Sequence, residues 1–376
     1  MANPFIYINA TLPRTFFPPD VKARKNLTRN ELFQLLEVND VSLPVGDGRN
    51  INERILAVFR SPEVLFGDPT FIDTNEKYWL DRLDLFTSKG DPIEFVAMAF
   101  PYKVPNPLKT LRKAPDLGEA LMLRRFTMVL DAIQHVYAPG ARLTILEEGI
   151  LGRCQGVDHQ QIEAYRDGIN GIIEISGVNP EQIVFHSLDD MPTTIPNFEA
   201  RWIHEQERLR ELWQQNDSYV RAAYETTFPA SITSVPTLEY DPNLLAKAYD
   251  SAESDSGQGQ ADNAIRYVRD YINKVAHRQF FAYRALLSLR DVTGYLDQLR
   301  PGALKLTVSP KPENLAVIPV NRWSRVLPYH GVPVLRKDGS WEINYIGSFG
   351  LRYGDVEELH WDQDTDSAPI AFRELN

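Results

Sequence analysis

Between residues 93 and 187 short apolar runs alternate with longer segments of helical periodicity, and few folds accommodate that order. Ile93-Glu-Phe-Val-Ala-Met-Ala99 follows the breaker Gly90-Asp-Pro92 and fits a buried strand. Leu117 to Tyr137 carries a helical apolar pattern that stops at Pro139-Gly140. Arg142 to Leu146 then reads as a strand, Gln160 to Ile175 as a helix closed by Gly177, and Gln182 to His186 as a third strand. Such a βαβαβ run makes right-handed crossovers and a parallel sheet, so the expectation is an α/β fold with a Rossmann-like core. Ligands of open α/β sheets bind beyond the carboxyl ends of the strands, which directs attention to residues 100 to 115, 147 to 157 and those after 187.

The flanking segments read differently. Residues 1 to 50 are rich in proline and polar residues and are expected to form an N-terminal extension with a short helix near Arg29 to Leu36. From Asn197 to Tyr224 apolar residues recur at helical spacing among charged ones, predicting one long amphipathic helix. Ser251 to Gln260 is biased towards Ser, Gly, Asp and Gln and is expected to be a poorly ordered loop before helical patterning resumes over Ala264 to Leu287. Further strands are predicted at Leu304 to Val308, Leu315 to Val320, Val332 to Leu335 and Trp341 to Ile346, with Lys337-Asp-Gly-Ser340 as a hairpin turn. The expected organisation is the extension 1–50, one α/β domain over 51–350 with a helical insertion at about 195–290 and antiparallel strands after it, and a C-terminal tail at 351–376.

Charge and cysteine content narrow the partners. Forty Lys and Arg against 51 Asp and Glu give a net charge of -11, which opposes general attraction to nucleic acid or anionic lipid. No stretch approaches the roughly 18 to 20 apolar residues of a membrane span, and the N-terminus has no signal-peptide pattern, so a cytoplasmic protein is expected. Cys154 is the sole cysteine, which excludes an internal disulfide. Three sequons, at Asn9, Asn26 and Asn216, are read as chance. The long amphipathic helices could pack within a chain or between chains, so oligomeric state stays open.

Several residues could carry chemistry. Lys103, Lys109, Arg112 and Lys113 make the loop after the first strand locally basic, which fits either a phosphate site stiffened by Pro101, Pro105 and Pro107 or a solvated loop. Asp116-Leu-Gly-Glu119 has the spacing of a helix capping box, and Asp158-His-Gln-Gln161 repeats it. Glu147 and Glu148 follow a buried strand, where adjacent carboxylates either hold protons near neutrality or are simply solvated. Cys154 has no nearby His or CxxC partner and reads as an inert thiol. The seven histidines lack metal-ligand spacing, and no metal is expected. His330, bracketed by Pro328 and Gly331, is either an acid or base near neutral pH or a satisfied turn histidine.

Several of these segments fall into one known pattern. Gly90-Asp-Pro-Ile-Glu-Phe95, Ala99-Phe-Pro-Tyr-Lys-Val-Pro-Asn106, Ala114-Pro-Asp-Leu-Gly-Glu119 and Tyr137-Ala-Pro-Gly-Ala-Arg-Leu-Thr-Ile145 resemble, in order and spacing, the pyoverdine/dityrosine biosynthesis family that contains the isocyanide synthases. Gly156-Val-Asp158 with Tyr165-Arg166, Ala303 to Pro310 and Pro328-Tyr-His-Gly-Val332 look like later landmarks of the same family. The resemblance implies condensation of an amino acid amine with the ketone of ribulose 5-phosphate as co-substrate, followed by fragmentation that leaves one sugar carbon on nitrogen as an isocyanide. It implies neither metal nor redox cofactor. The residues matched to this chemistry are Lys103 and Lys109 for phosphate or carbonyl contact, His330 and Glu148 for proton transfer, and Lys305 for an anionic group. Asn106, Asp116, Glu119 and Asp158 complete the expected substrate site.

Three departures from the family pattern bear on the reaction. Members usually carry Asp-Gly-Arg where this chain has Glu148-Gly-Ile150, a histidine at Ser309, and a tryptophan at Tyr329. Losing a planar anion clamp and a potential acid or base leaves two other readings open, a different N-modified (for example N-formyl) amino acid product or a ligand-binding protein without turnover.

Overall fold

A computed structural model of the chain describes residues 19–36, 50–68, 70–100, 102–103, 110–154, 157–225, 257–308, 314–321, 326–346, 353–362 and 367–375. Its strands are β1 (Asp20–Leu27), β2 (Ile93–Ala99), β3 (Ala141–Glu147), β4 (Ile183–Ser187), β5 (Leu304–Thr307), β6 (Asn314–Ala316), β7 (Val332–Leu335), β8 (Trp341–Asn344), β9 (Asp355–Trp361) and β10 (Ala371–Glu374). They form two five-stranded sheets.

The first sheet has the order β4-β3-β2-β5-β6 with every neighbouring pair parallel. Strand β2 pairs with β3 from Ile93 opposite Ala141 to Ala99 opposite Glu147. Alternation along β2 divides the core. Phe95, Ala97 and Ala99 belong to the large core built with the helices Ile51–Arg60, Glu76–Thr87, Leu117–Val136 and His159–Ser176. Val96 and Met98 face the other way, against Leu286, Tyr295, Leu296 and the segment from Leu188 to Ile195. A sheet covered on both faces requires strands apolar on both faces, which is why β2 and β3 read as continuous apolar runs. The chain proceeds outward from β2 through β3 to β4 and then returns to lay β5 on the other side of β2. That reversal opens a crevice at the carboxyl ends of β2 and β5.

The second sheet has the order β1-β9-β10-β7-β8. Here β7 pairs antiparallel with β8 and β10 with β9, while β1 runs parallel to β9 and β10 to β7. The expected hairpin at Lys337 to Ser340 is present, with Gly339 at φ 80 and the Arg336 amide donating to Ser340 O at 2.8 Å. Of the four strands predicted in the C-terminal part, β5 and β6 join the parallel sheet; the antiparallel pairing lies in the second sheet.

Two local expectations need correction. The single amphipathic helix predicted from Asn197 to Tyr224 is two, Phe198–Gln214 and a segment at 218–225. Asn216 breaks it in the left-handed region at φ 59, and Asp217 caps the second piece by accepting from the Val220 amide at 2.9 Å. Both pieces pack on one apolar cluster containing Leu209, Val220, Phe280 and Phe281, so the periodicity runs through the break. The later helix spans Gly257–Val292, starting earlier and ending later than Ala264 to Leu287. Residues 257–260 of the expected loop are therefore helical, while 251–256 lie outside the described residues. Among the described residues no helix is long and apolar enough to cross a membrane.

Candidate active site

The carboxyl end of β2 leads into a buried ionic cluster. Phe100, itself buried, takes φ 55, a left-handed conformation costly for a residue with a Cβ, and turns the chain inward. Lys103 follows with no exposed surface, and its Nζ donates to Asp116 Oδ2 at 2.5 Å and Glu119 Oε2 at 2.9 Å. The two carboxylates, 1% and 0% exposed, sit at the start of the helix Leu117–Val136 and form the predicted capping box: Asp116 Oδ1 accepts from the Gly118 amide and Glu119 Oε2 from the Asp116 amide. Tyr165 OH donates to Glu119 Oε1 at 3.0 Å. Asp158 caps its helix through the Gln160 amide, but Gln161 does not reach back as the capping-box spacing suggested. Its Nε2 donates to Lys103 O at 2.6 Å, tying this helix to the loop instead.

Two carboxylates around one ammonium in a water-free site cannot both ionise cheaply. Burial pushes the Asp116 carboxyl up to about 8, the nearby Lys103 charge pulls it down, and Glu119 pushes it up further. Lys103 is committed to this pair, whereas the sequence reading has it meeting a phosphate or carbonyl. Arg112, from the same basic loop, is also buried and donates to Ala368 O at 2.5 Å, whereas Lys113 is exposed. Asn106, Lys109 and Ser309 lie outside the described residues.

The adjacent pair after β3 divides by strand alternation. Glu147 points towards the helix His159–Ser176, where Arg166 Nε lies 3.0 Å from its Oε2 and NH2 lies 2.8 Å from Asp189. Glu148, the residue after β3, is partly buried. Burial raises its carboxyl to about 7, with Arg290 pulling in the opposite direction. The surrounding electrostatic neighbours are phenols. Burial first, then the Glu148 charge, raises the proton affinity of both Tyr283 and Tyr329, and Glu119 and Tyr102 act further on Tyr329. Tyr165 is raised by burial, by Glu119 and Asp116, and then by Tyr329. The charges of Glu148 and Glu119 thus both act on Tyr329, near the ends of β2 and β3.

His330 stands at the edge of this site on the short helical turn Pro328–His330, its ring 4.7 Å from that of Tyr329. Tyr329 in turn meets Phe100 edge-on at 6.4 Å. Asp158 is exposed at its helix start. Lys305 lies in mid-strand on β5, opposite Val96, and lines a separate recess. Tyr102, Tyr283 and Arg290 were not singled out from sequence. Tyr283 and Arg290 are two turns apart on one helix face, a spacing that could have flagged them, but the same face carries apolar residues that read as core. Arg290 also donates to Met98 Sδ, the residue of β2 that faces the insertion. Among the described residues no group of His, Cys, Asp and Glu is arranged to hold a metal ion.

Comparison with known proteins gives this geometry a context. The family model described as pyoverdine/dityrosine biosynthesis protein matches residues 83–236. An L-tyrosine isonitrile synthase of Pseudomonas aeruginosa is 30% identical over 269 residues, covering 70% of this chain and 76% of that protein. An L-tryptophan isonitrile synthase of Fischerella ambigua is 30% identical over 145 residues, covering 38% and 42% respectively. An L-tyrosine isonitrile synthase of Xenorhabdus nematophila is 37% identical over 99 residues, 26% of this chain and 30% of its own. The crystal structure of PvcA from P. aeruginosa superposes with a TM-score of 0.57 over 87% of this chain and 100% of that one, at 22% identity, and shares the fold. The chain belongs to the pyoverdine/dityrosine biosynthesis family, whose members include the isonitrile synthases.

Proposed function

We propose that this protein is an isocyanide synthase that condenses the amine of an amino acid with the ketone of ribulose 5-phosphate. What supports the reading is membership of the family together with Glu148, which follows β3 at its carboxyl end and whose proton affinity burial raises to about 7, its charge acting on the buried phenols Tyr283 and Tyr329. Amine attack on the ketone forms a carbinolamine, which loses water to give an imine. An acid must protonate the departing hydroxyl and a base must take the proton from nitrogen; the two bonds from the imine carbon to the rest of the sugar must then break, with the same groups moving protons as the sugar fragments leave. In this reading Glu148 is the base, because its carboxyl ionises near pH 7 rather than at the ordinary carboxylate value. Tyr283 and Tyr329 keep their protons and donate to developing oxygen charge. Lys103, Asp116 and Glu119 act as a buried scaffold that fixes Tyr165 and the loop at Tyr102. In this reading His330, whose ring lies 4.7 Å from that of Tyr329, exchanges protons with the substrate.

The test is mass spectrometry of purified protein incubated with ribulose 5-phosphate and amino acids, tyrosine and tryptophan first. The expected product exceeds its parent amino acid by one carbon and lacks two hydrogens, and it is lost in Glu148→Gln. An N-formyl product, or ligand binding with no product, would replace this reading.

A further inference from the structure

Away from the Glu148 site, a recess of about 170 Å³ lies between the helices Glu76–Thr87 and Tyr295–Leu299 on the insertion side of β2 and β5. A space of that size holds far more than a single water, which needs roughly 10 to 15 Å³. Its floor is Val96, and three cations, Arg82, Arg300 and Lys305, line it with one carboxylate, Asp297, and the Tyr78 ring. Neutral partners hold two of the cations in place. Arg82 NH2 donates to Ala303 O at 2.9 Å, and Arg300 Nε donates to Thr144 Oγ1 at 2.8 Å. The Nε of Arg82 is buried without a hydrogen-bond partner among the described residues. Lys305 has no ion-pair partner among them either. The nearest acid to Arg300 is Glu94, 3.9 Å away, and burial raises the proton affinity of that carboxyl against the pull of Arg300 and Arg142.

In a chain with a net charge of -11, three converging and incompletely paired cations are not the residue of a generally basic surface. Holding them together half-buried costs free energy that an anion would offset. We infer that this recess is a phosphate-binding subsite, with Arg82, Arg300 and Lys305 contacting a phosphate monoester. Two guanidinium groups and an ammonium suit the three peripheral oxygens of a phosphate better than the two of a carboxylate. Val96 is two residues before Met98 on the same strand face, roughly 7 Å along the strand from the residue that Arg290 touches. A sugar phosphate is therefore the ligand class; that attribution rests on the proposed function, whereas binding of the phosphate group does not.

The experiment is calorimetric titration of the whole protein with inorganic phosphate and with ribulose 5-phosphate at constant ionic strength. It compares wild type with Lys305→Gln and Arg300→Gln, and the unliganded thermal stability of each variant is measured as the folding control. Each substitution is expected to weaken phosphate binding about tenfold or more, the loss of one charge-assisted contact. Folded variants that bind phosphate as tightly as wild type, or a wild type that binds neither probe, overturn the subsite. Kinetics identify the source of the phosphate. A raised KM for ribulose 5-phosphate with kcat retained places the co-substrate there, and loss of phosphate binding with KM unchanged assigns the site to a separate phosphorylated ligand. A protein that binds phosphate here but forms no isocyanide upholds the recess and refutes the proposed reaction alone.

Discussion

Glu148 and Glu147 are neighbours with different partners. Burial raises the proton affinity of both carboxyls, but Glu147 is ion-paired to Arg166 at 3.0 Å, whereas Glu148 is raised to about 7 against the pull of Arg290. If Glu148 acts as the base, kcat/KM should rise with pH through an inflection near 7; a profile flat or falling across that range contradicts the role. Stability should move the other way. Folded Glu148 binds its proton more tightly than the unfolded chain does, so the native state loses stability as pH rises from about 4.5 to about 7. Glu148→Gln should remove that slope and gain on the order of 1–3 kcal/mol over wild type at pH 8 in denaturant melts. Lys103 behaves differently. Lys103→Met removes the ammonium that contacts both Asp116 and Glu119 and should cost about 3–5 kcal/mol. That loss should deepen at alkaline pH, and a further Glu119→Gln change should recover part of it. The capping box was legible in the spacing of Asp116 and Glu119. The closure of Lys103 onto it was not, because Lys103 lies thirteen positions before Asp116 and no local pattern records that contact.

At the level of elements, the parallel core was readable because β2 and β3 are apolar on both faces and the helices beside them carry end signals. Asp116 caps one helix, and Gly177 closes another at φ 65. What escaped were elements without such punctuation: β1, β9 and β10 are mixed in polarity, and the insertion helices share an apolar face that hides the turn at Asn216. The short helix Gly149–Cys154 sets one wall of the site by close packing. A Cβ on Gly152 would lie 2.7 Å from Cδ1 of Tyr102 and 3.0 Å from Ile162. Gly152→Ala should therefore cost about 1–3 kcal/mol and depress turnover by displacing Tyr102. Gly171→Ala is the matched control, in the helix His159–Ser176 with nothing within 4 Å of its added methyl. It should raise stability by about 0.5–1 kcal/mol and leave turnover unchanged. Equal effects at the two glycines would separate Tyr102 from the site.

Across the described residues, the first strand and the last two share one sheet. The extension supplies β1, which pairs along β9 from Asp20 opposite Asp355 to Leu27 opposite Trp361, and the C-terminal segment supplies β9 and β10 of that same sheet. Trp341 of β8 donates to Leu35 O at 2.9 Å, adding a bond between this sheet and the helix Arg29–Leu35. The second sheet in turn supports the turn carrying Tyr329 and His330, since Gly331 approaches Asn344 O so closely that an added Cβ would lie 2.7 Å from it. The site thus combines the end of β2, the helix after β3, the insertion helix and the entry to β7. Its assembly from segments more than two hundred residues apart explains why single motifs revealed only parts of it. The most direct test of the account is incubation of the protein with its amino acid substrate and ribulose 5-phosphate carrying carbon-13 at the ketone carbon, followed by carbon NMR of the product. The account predicts that the label appears in the isocyanide carbon, because that atom is the one joined to nitrogen in the imine; an unlabelled isocyanide, or label retained wholly in the sugar with no isocyanide formed, contradicts it.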